Sequence, residues 1–236
     1  MYDSLKTLLD QLAEMQIKPF IGYGNPDARL LIIGKECAFT EGSKEWELFF
    51  KHNYDQWKVS FGVRGFSYAM GKEEYPYEFE NGFFHPLFPF YPQENKRGRT
   101  SSTYYWYQRL VQKIRASDSH EEKSPIIDFF RDCFITELSE ECRPNNTANT
   151  KAEHQKTKDS IRQRFDWMRQ TAFFRHFDIV ILACGPYANA IKKDNLLRKE
   201  LFGDAHVVYC NQLSRWDTRL DKEIITIRER LQYSRP

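Results

Sequence analysis

No two cysteines stand at the spacing of a metal clip, no apolar run is long, neither charge dominates and no internal repeat is present. Each absence removes a class of protein. The five cysteines fall at 37, 133, 142, 184 and 210 without a C-x-x-C pair, which argues against a zinc ribbon, an iron–sulfur cluster or a disulfide scaffold. Two of them, Cys133 and Cys184, lie in or beside apolar runs, as reduced structural thiols of a cytoplasmic protein do. No metal and no cofactor is expected. Lysine and arginine total 35 against 33 acids, so the net charge of +2 excludes a polycation and leaves any nucleic-acid affinity to a local patch. No segment is long enough to cross a bilayer. The opening MYDSLKTLLDQLAEM alternates charge with leucine at helical spacing, which predicts an amphipathic helix and not a signal peptide, so no membrane partner is expected.

What is present is an alternation of short apolar runs with helical patterns in a chain of 236 residues, long enough for one large core. The runs are 30–34 (LLIIG), 133–138 (CFITEL), 179–185 (IVILACG) and 206–210 (HVVYC). They are continuous, as strands buried on both faces should be. Helical periodicity covers 104–115, 160–174, 186–197, where Pro186 opens the segment after Gly185, and 217–231. The pattern predicts an α/β fold with a parallel sheet covered on both sides. Residues 45–92 hold well over a third of the aromatics, interleaved with glycine, proline and charge, as in GFFHPLFPFYP. They read as an insertion: a satellite hydrophobic cluster, or an aromatic-walled pocket for a base. Residues 139–158 read as a polar surface loop.

In open parallel sheets the ligand lies beyond the carboxyl ends of the strands. The residues there are Lys35, Glu36 and Cys37, then Glu137 and Ser139, then Gly185 and Tyr187, then Asn211, Gln212 and Ser214. Cys37 as a nucleophile with His85 or His52 has no motif placing a base beside it.

The run GYGNPDARLLIIGKECAF resembles the opening of the uracil-DNA glycosylase superfamily, where a glycine, asparagine, proline loop leads into the first strand and its charged end. CFITELSEECRPNN, FDIVILACGPYANAI and VVYCNQLSR are similar, in the same order, to the family's later strands and loops, so the likeness spans about residues 20 to 232. It implies a three-layer αβα sandwich around a central four-stranded parallel sheet, in a single domain spanning 1–236. It also implies the cleavage of N-glycosidic bonds in nucleic acid, DNA ahead of RNA, as in base-excision repair.

The resemblance gives roles to individual residues, and the motifs depart from the family at each. Glu36 stands where some members have an aspartate that stabilises the positive sugar. It keeps the charge that an oxocarbenium-like transition state needs, or pairs with Lys35. Gln212 stands where the family has histidine, and its amide donates to a base oxygen without becoming a cation. Glu137 stands where some members hold uracil with asparagine. Taken as an ionised carboxylate it accepts only, which disfavours uracil and favours a guanine-like edge, unless it is half of a salt bridge. Lys35, Ser139 and Tyr187 complete the base-binding set. Ser214 and Asn211 match the phosphate-contacting loop, although Ser214 also reads as a helix N-cap. Lys96, Arg97 and Arg99 precede a helix in NKRGRTSST and suit phosphate, and a second cationic stretch runs over Lys151, Lys156, Lys158, Arg162 and Arg164. Two alternatives remain open: a binding module of the same fold that has lost catalysis, and an α/β enzyme acting on a free nucleoside or nucleotide.

Overall fold

The computed structural model describes residues 3–43, 46–60, 102–115, 129–142 and 150–232. Its elements run α1 (Asp3–Glu14), β1 (Tyr23–Gly24), β2 (Leu30–Gly34), α2 (Asn53–Ser60), α3 (Ser102–Arg115), β3 (Cys133–Glu137), α4 (Lys151–Gln170), β4 (Ile179–Leu182), α5 (Asn189–Lys193), α6 (Asn195–Phe202), β5 (His206–Tyr209) and α7 (Arg219–Gln232). The fold is α/β, with a five-stranded sheet in the order β1-β3-β2-β4-β5. The four apolar runs are neighbouring parallel strands, with Gly34 opposite Glu137, Ile33 opposite Leu182, and Leu182 opposite Tyr209. Leu31, Ile32, Ile33 and all of β4 are sealed from solvent on both faces, which is why their sequence is continuous rather than alternating.

The sheet is mixed, which corrects the expectation of four parallel strands alone. Tyr23 and Gly24 add an antiparallel edge strand to β3, with Tyr23 opposite Ile135. So short a strand carries no periodic signal; tertiary contacts create it. Gly22 (φ +133°) enters this edge at a place where a Cβ would meet the Ile135 carbonyl at 2.2 Å, so only glycine fits. From α2, Asn53 Oδ1 accepts from the amides of Ile21 (2.9 Å) and Gly22 (3.1 Å), while Asn53 Nδ2 and Trp57 Nε1 both donate to the Gly22 carbonyl at 2.9 Å.

The crossover from β2 to β3 runs opposite in direction to those from β3 to β4 and from β4 to β5. The helices cover both faces, giving three layers: α3 lies on one, where Tyr104 meets Tyr23, and α4, with α6 against it, on the other, where Arg164 reaches Thr136; α2 joins the α4 face, where Trp57 packs against Phe134 beside Phe173 and Phe177. α7 returns to the α3 face, where Arg228 Nε donates to the Lys113 carbonyl at 3.0 Å. α1 buries Leu5, Leu8, Leu9 and Leu12, one stripe at helical spacing. Where residues 45–92 are described, Phe50, Tyr54 and Trp57 belong to the main core and form no satellite cluster; residues 61–101, which include Lys96, Arg97, Arg99 and His85, lie outside the described residues.

Two helical boundaries differ from the sequence reading. The polar segment 139–158 gives way at Lys151 to α4, because Thr150 and Glu153 form a capping box: Thr150 Oγ1 accepts from the Glu153 amide and Glu153 Oε2 from the Thr150 amide. The segment expected as one helix over 186–197 is broken at Asp194, whose carboxylate accepts from the amides of Leu196 and Leu197 at 3.0 Å and starts α6 afresh.

Candidate functional site

β2 lies between β3 and β4, so the chain leaves its carboxyl end first to one side and later to the other. This is the topological switch point at which such sheets open a crevice. Lys35 and Glu36 occupy its edge. Lys35 Nζ pairs with Glu36 Oε1 at 2.8 Å, with side chains 22% and 6% exposed, and stands 4.8 Å from the centre of the Tyr187 ring on the turn after β4. The pairing that sequence allowed as a surface contact is therefore a largely enclosed one, with an aromatic face completing the ammonium's shell.

Glu137 ends β3 directly opposite Gly34. A Cβ on Gly34 would stand 2.2 Å from Glu137 Oε2, so the bare glycine makes room for this carboxyl group. Glu137 Oε2 is buried without a hydrogen-bond partner among the described residues. Burial raises the acid's pKa from 4.5 to about 8; the guanidinium of Arg164 opposes that shift and the charge of Glu36 adds to it. At neutral pH Glu137 is thus mostly the neutral acid. That overturns the premise of an acceptor-only carboxylate, because a protonated carboxyl offers one donor beside one acceptor, as an amide does.

Three groups missed by the sequence reading surround it. Tyr23 and Tyr104 place their hydroxyls 3.2 Å apart, one from β1 and one from α3, and desolvation pushes both phenols up, with Glu137 close enough to add to the effect. The signal was Tyr23 itself, inside a glycine loop read only for its resemblance. Arg164, counted among surface cations, is 1% exposed: its guanidinium donates to Glu140 Oε1 (3.0 Å), to the Phe20 carbonyl (2.5 Å) and to Thr136 Oγ1. It supplies internal positive charge and is not a phosphate clamp. The signal was its place three residues after Ile161 and four before Met168, on the buried stripe of the helix read over 160–174.

The remaining candidates divide. Ser139 is buried; its hydroxyl accepts from the Glu141 amide at 3.1 Å and lies 3.4 Å from Ser160 Oγ, so it shapes the loop. Asn211 is exposed and its amide donates to Asp217 Oδ2 at 2.8 Å. Gln212 is half-buried, and its carbonyl accepts from the Ser214 amide at 2.8 Å. The Ser214 carbonyl is anchored to α3 by Ser102 Oγ (2.8 Å) and Trp106 Nε1 (3.1 Å), and the residue itself is exposed. Ser214 does not cap α7. Asp217 does, accepting from the Arg219 amide at 3.1 Å and pairing with the Arg219 guanidinium, which holds its carboxyl well below the usual range. A separate groove of about 970 Å3, lined by Met15, Lys18, Glu140, Arg164 and Trp167 among others, includes neither Glu36 nor Glu137.

The structure therefore brings Lys35, Glu36, Glu137 and Tyr187 to one end of the sheet and holds Asn211, Gln212 and Ser214 on the adjoining loop. No protein-family model matches this chain, and no curated protein matches it at a significant level.

Proposed function

We propose that the chain binds a nucleobase of nucleic acid in the crevice beyond β2 and β3 and hydrolyses its N-glycosidic bond, as a divergent relative of the uracil-DNA glycosylases. The observation that carries the reading is the buried, unpartnered Glu137 Oε2 at the switch point, beside Glu36. Two neighbouring carboxyl groups in different surroundings, one beside an ammonium and one in a dry place, are suited to two tasks. Neutral Glu137 donates to a base carbonyl and accepts from the adjacent N–H, the edge that uracil, thymine and hypoxanthine share. Glu36, as carboxylate, lies under the sugar. When the C1′–N bond breaks, its electron pair leaves with the base, positive charge grows on the sugar, and water adds to C1′. Gln212 is, on this reading, the second donor to the base. Ser214 and Asn211, with Lys96, Arg97 and Arg99, serve the phosphates.

Oligonucleotides carrying uracil, hypoxanthine or a guanine analogue, scored for abasic sites, test this. Base release is expected from a substrate with a carbonyl beside N–H. Glu36→Gln should lower the rate at least a hundredfold with affinity nearly kept, since the charge acts mainly in the transition state. Affinity for uracil oligonucleotides should fall as pH rises past about 8, when Glu137 loses its proton. Release unaffected by Glu36→Gln would remove the mechanism.

The Lys35–Glu36 pair favours a second reading, a binding module without catalysis. A carboxylate already neutralised by an ammonium at 2.8 Å has less charge to offer a developing cation. On that reading the same oligonucleotides bind with base preference and no abasic site forms.

A further inference from the structure

Backbone pairing between β2 and β3 continues past both strands. The Leu138 amide donates to the Gly34 carbonyl at 2.9 Å and the Ser139 amide to the Lys35 carbonyl at 3.1 Å, so the two exits still run side by side there. Cys37 lies two residues beyond Lys35 on one exit and Cys142 three beyond Ser139 on the other; Cys142 Sγ donates to the Glu140 carbonyl at 4.0 Å and is near enough to Cys37 to add to the upward shift of its thiol. Chain segments at strand spacing bring Cα atoms within the range a disulfide spans. Both cysteines are reduced, Cys37 buried and Cys142 half-exposed.

We propose that Cys37 and Cys142 are a site of reversible oxidative modification, forming a disulfide that ties the exits of β2 and β3 together and fixes the backbone beside Glu36. Their unequal exposure sets the order of events. A hydroperoxide reaches the half-exposed Cys142, whose thiolate attacks the peroxide oxygen; the O–O bond breaks and Cys142 becomes a sulfenic acid, with water or alcohol released. The Cys37 sulfur then attacks Cys142 Sγ, the S–O bond breaks, and the departing hydroxide takes the Cys37 proton to leave as water. Two thiols are oxidised by two electrons and one peroxide is reduced. Exchange with a dithiol reverses the bond. Burial pushes the Cys37 thiol up, so it is a poor first target and acts as the resolving partner. The other cysteines are placed differently. Cys133 Sγ donates to the Phe129 carbonyl at 3.2 Å at the opposite end of the sheet, and Cys184 and Cys210 are buried.

The test treats the folded protein with a small excess of hydrogen peroxide, blocks remaining thiols under denaturing conditions, and maps the peptides by mass spectrometry without reduction. The expected product is one cross-link, Cys37 to Cys142, with free thiols falling from five to three and returning to five with dithiothreitol. Cys142→Ser should abolish the cross-link and leave all four other thiols free. Sulfinic acid at Cys142 with Cys37 still free, or a cross-link between any other pair, would overturn the proposal. The wild-type map decides it even if a variant folds poorly.

Discussion

At the scale of single residues, buried carboxyl groups in this fold are held in opposite states by what touches them. Asp217 receives two backbone amides and a guanidinium, so its charge is stabilised; Glu137 has an unpartnered oxygen in a dry place, so its charge is resisted. Asp217→Ala removes the cap of α7 together with the tie to Asn211 and is expected to cost about 1 to 2 kcal/mol at neutral pH. Because the folded acid lies below the ordinary value of 3.8, this contribution is complete above that pH and is lost as pH falls through the folded value. Urea titrations at pH 7 and in strong acid should show the variant well below the wild type in the first and approaching it in the second. A deficit that stays constant would mean the cap acts through neither charge nor its hydrogen bonds.

At the scale of elements, the antiparallel edge depends on α2 rather than on its own two residues. Asn53 satisfies three backbone groups of the segment entering β1, so Asn53→Ala leaves two buried amides without their acceptor, at about 1 to 3 kcal/mol each. Hydrogen exchange should show amides 21–25 losing protection while β2 and β4 keep theirs. Since β1 carries Tyr23 to its contact with Tyr104, the same change should disturb the surroundings of Glu137 without touching it. Equal loss of protection in all strands would instead make α2 part of one indivisible unit with the sheet. The four parallel strands were legible because burial on both faces demands uninterrupted apolar residues. β1 was not, because two residues have no period and their pairing is imposed by the α2 clamp and by Gly22.

At the scale of the whole molecule, Glu137 couples stability to pH. Its folded pKa of about 8 lies above the ordinary 4.5, so between those values the native state binds a proton that the unfolded chain has released. Stability from this group therefore falls as pH rises through that window. Glu137→Gln keeps the shape and donor of the neutral acid but cannot ionise. It should gain on the wild type by roughly 1 to 3 kcal/mol between pH 5 and pH 8, allowing for partial solvent access. Parallel unfolding curves for the two proteins across that range would place the Glu137 carboxyl in water and remove it from the crevice.

The sequence alone determined where the parallel strands lie, that helices cover both faces, and which residues stand at the strand ends, because these follow from hydrophobic periodicity and from the direction of a parallel sheet. Lys35, Glu36, Glu137 and Tyr187 were legible for that reason. Only the tertiary structure decided what those residues are chemically. The neutral state of Glu137 comes from its burial opposite Gly34 and from the charge of Glu36, against the pull of Arg164; the burial of Arg164 from the packing of α4; the cap of α7 from Asp217 folding back to Asn211. Protonation, hydrogen-bond capacity and the pairing of thiols depend on distances between residues far apart in the chain, and periodicity along the chain carries no record of them.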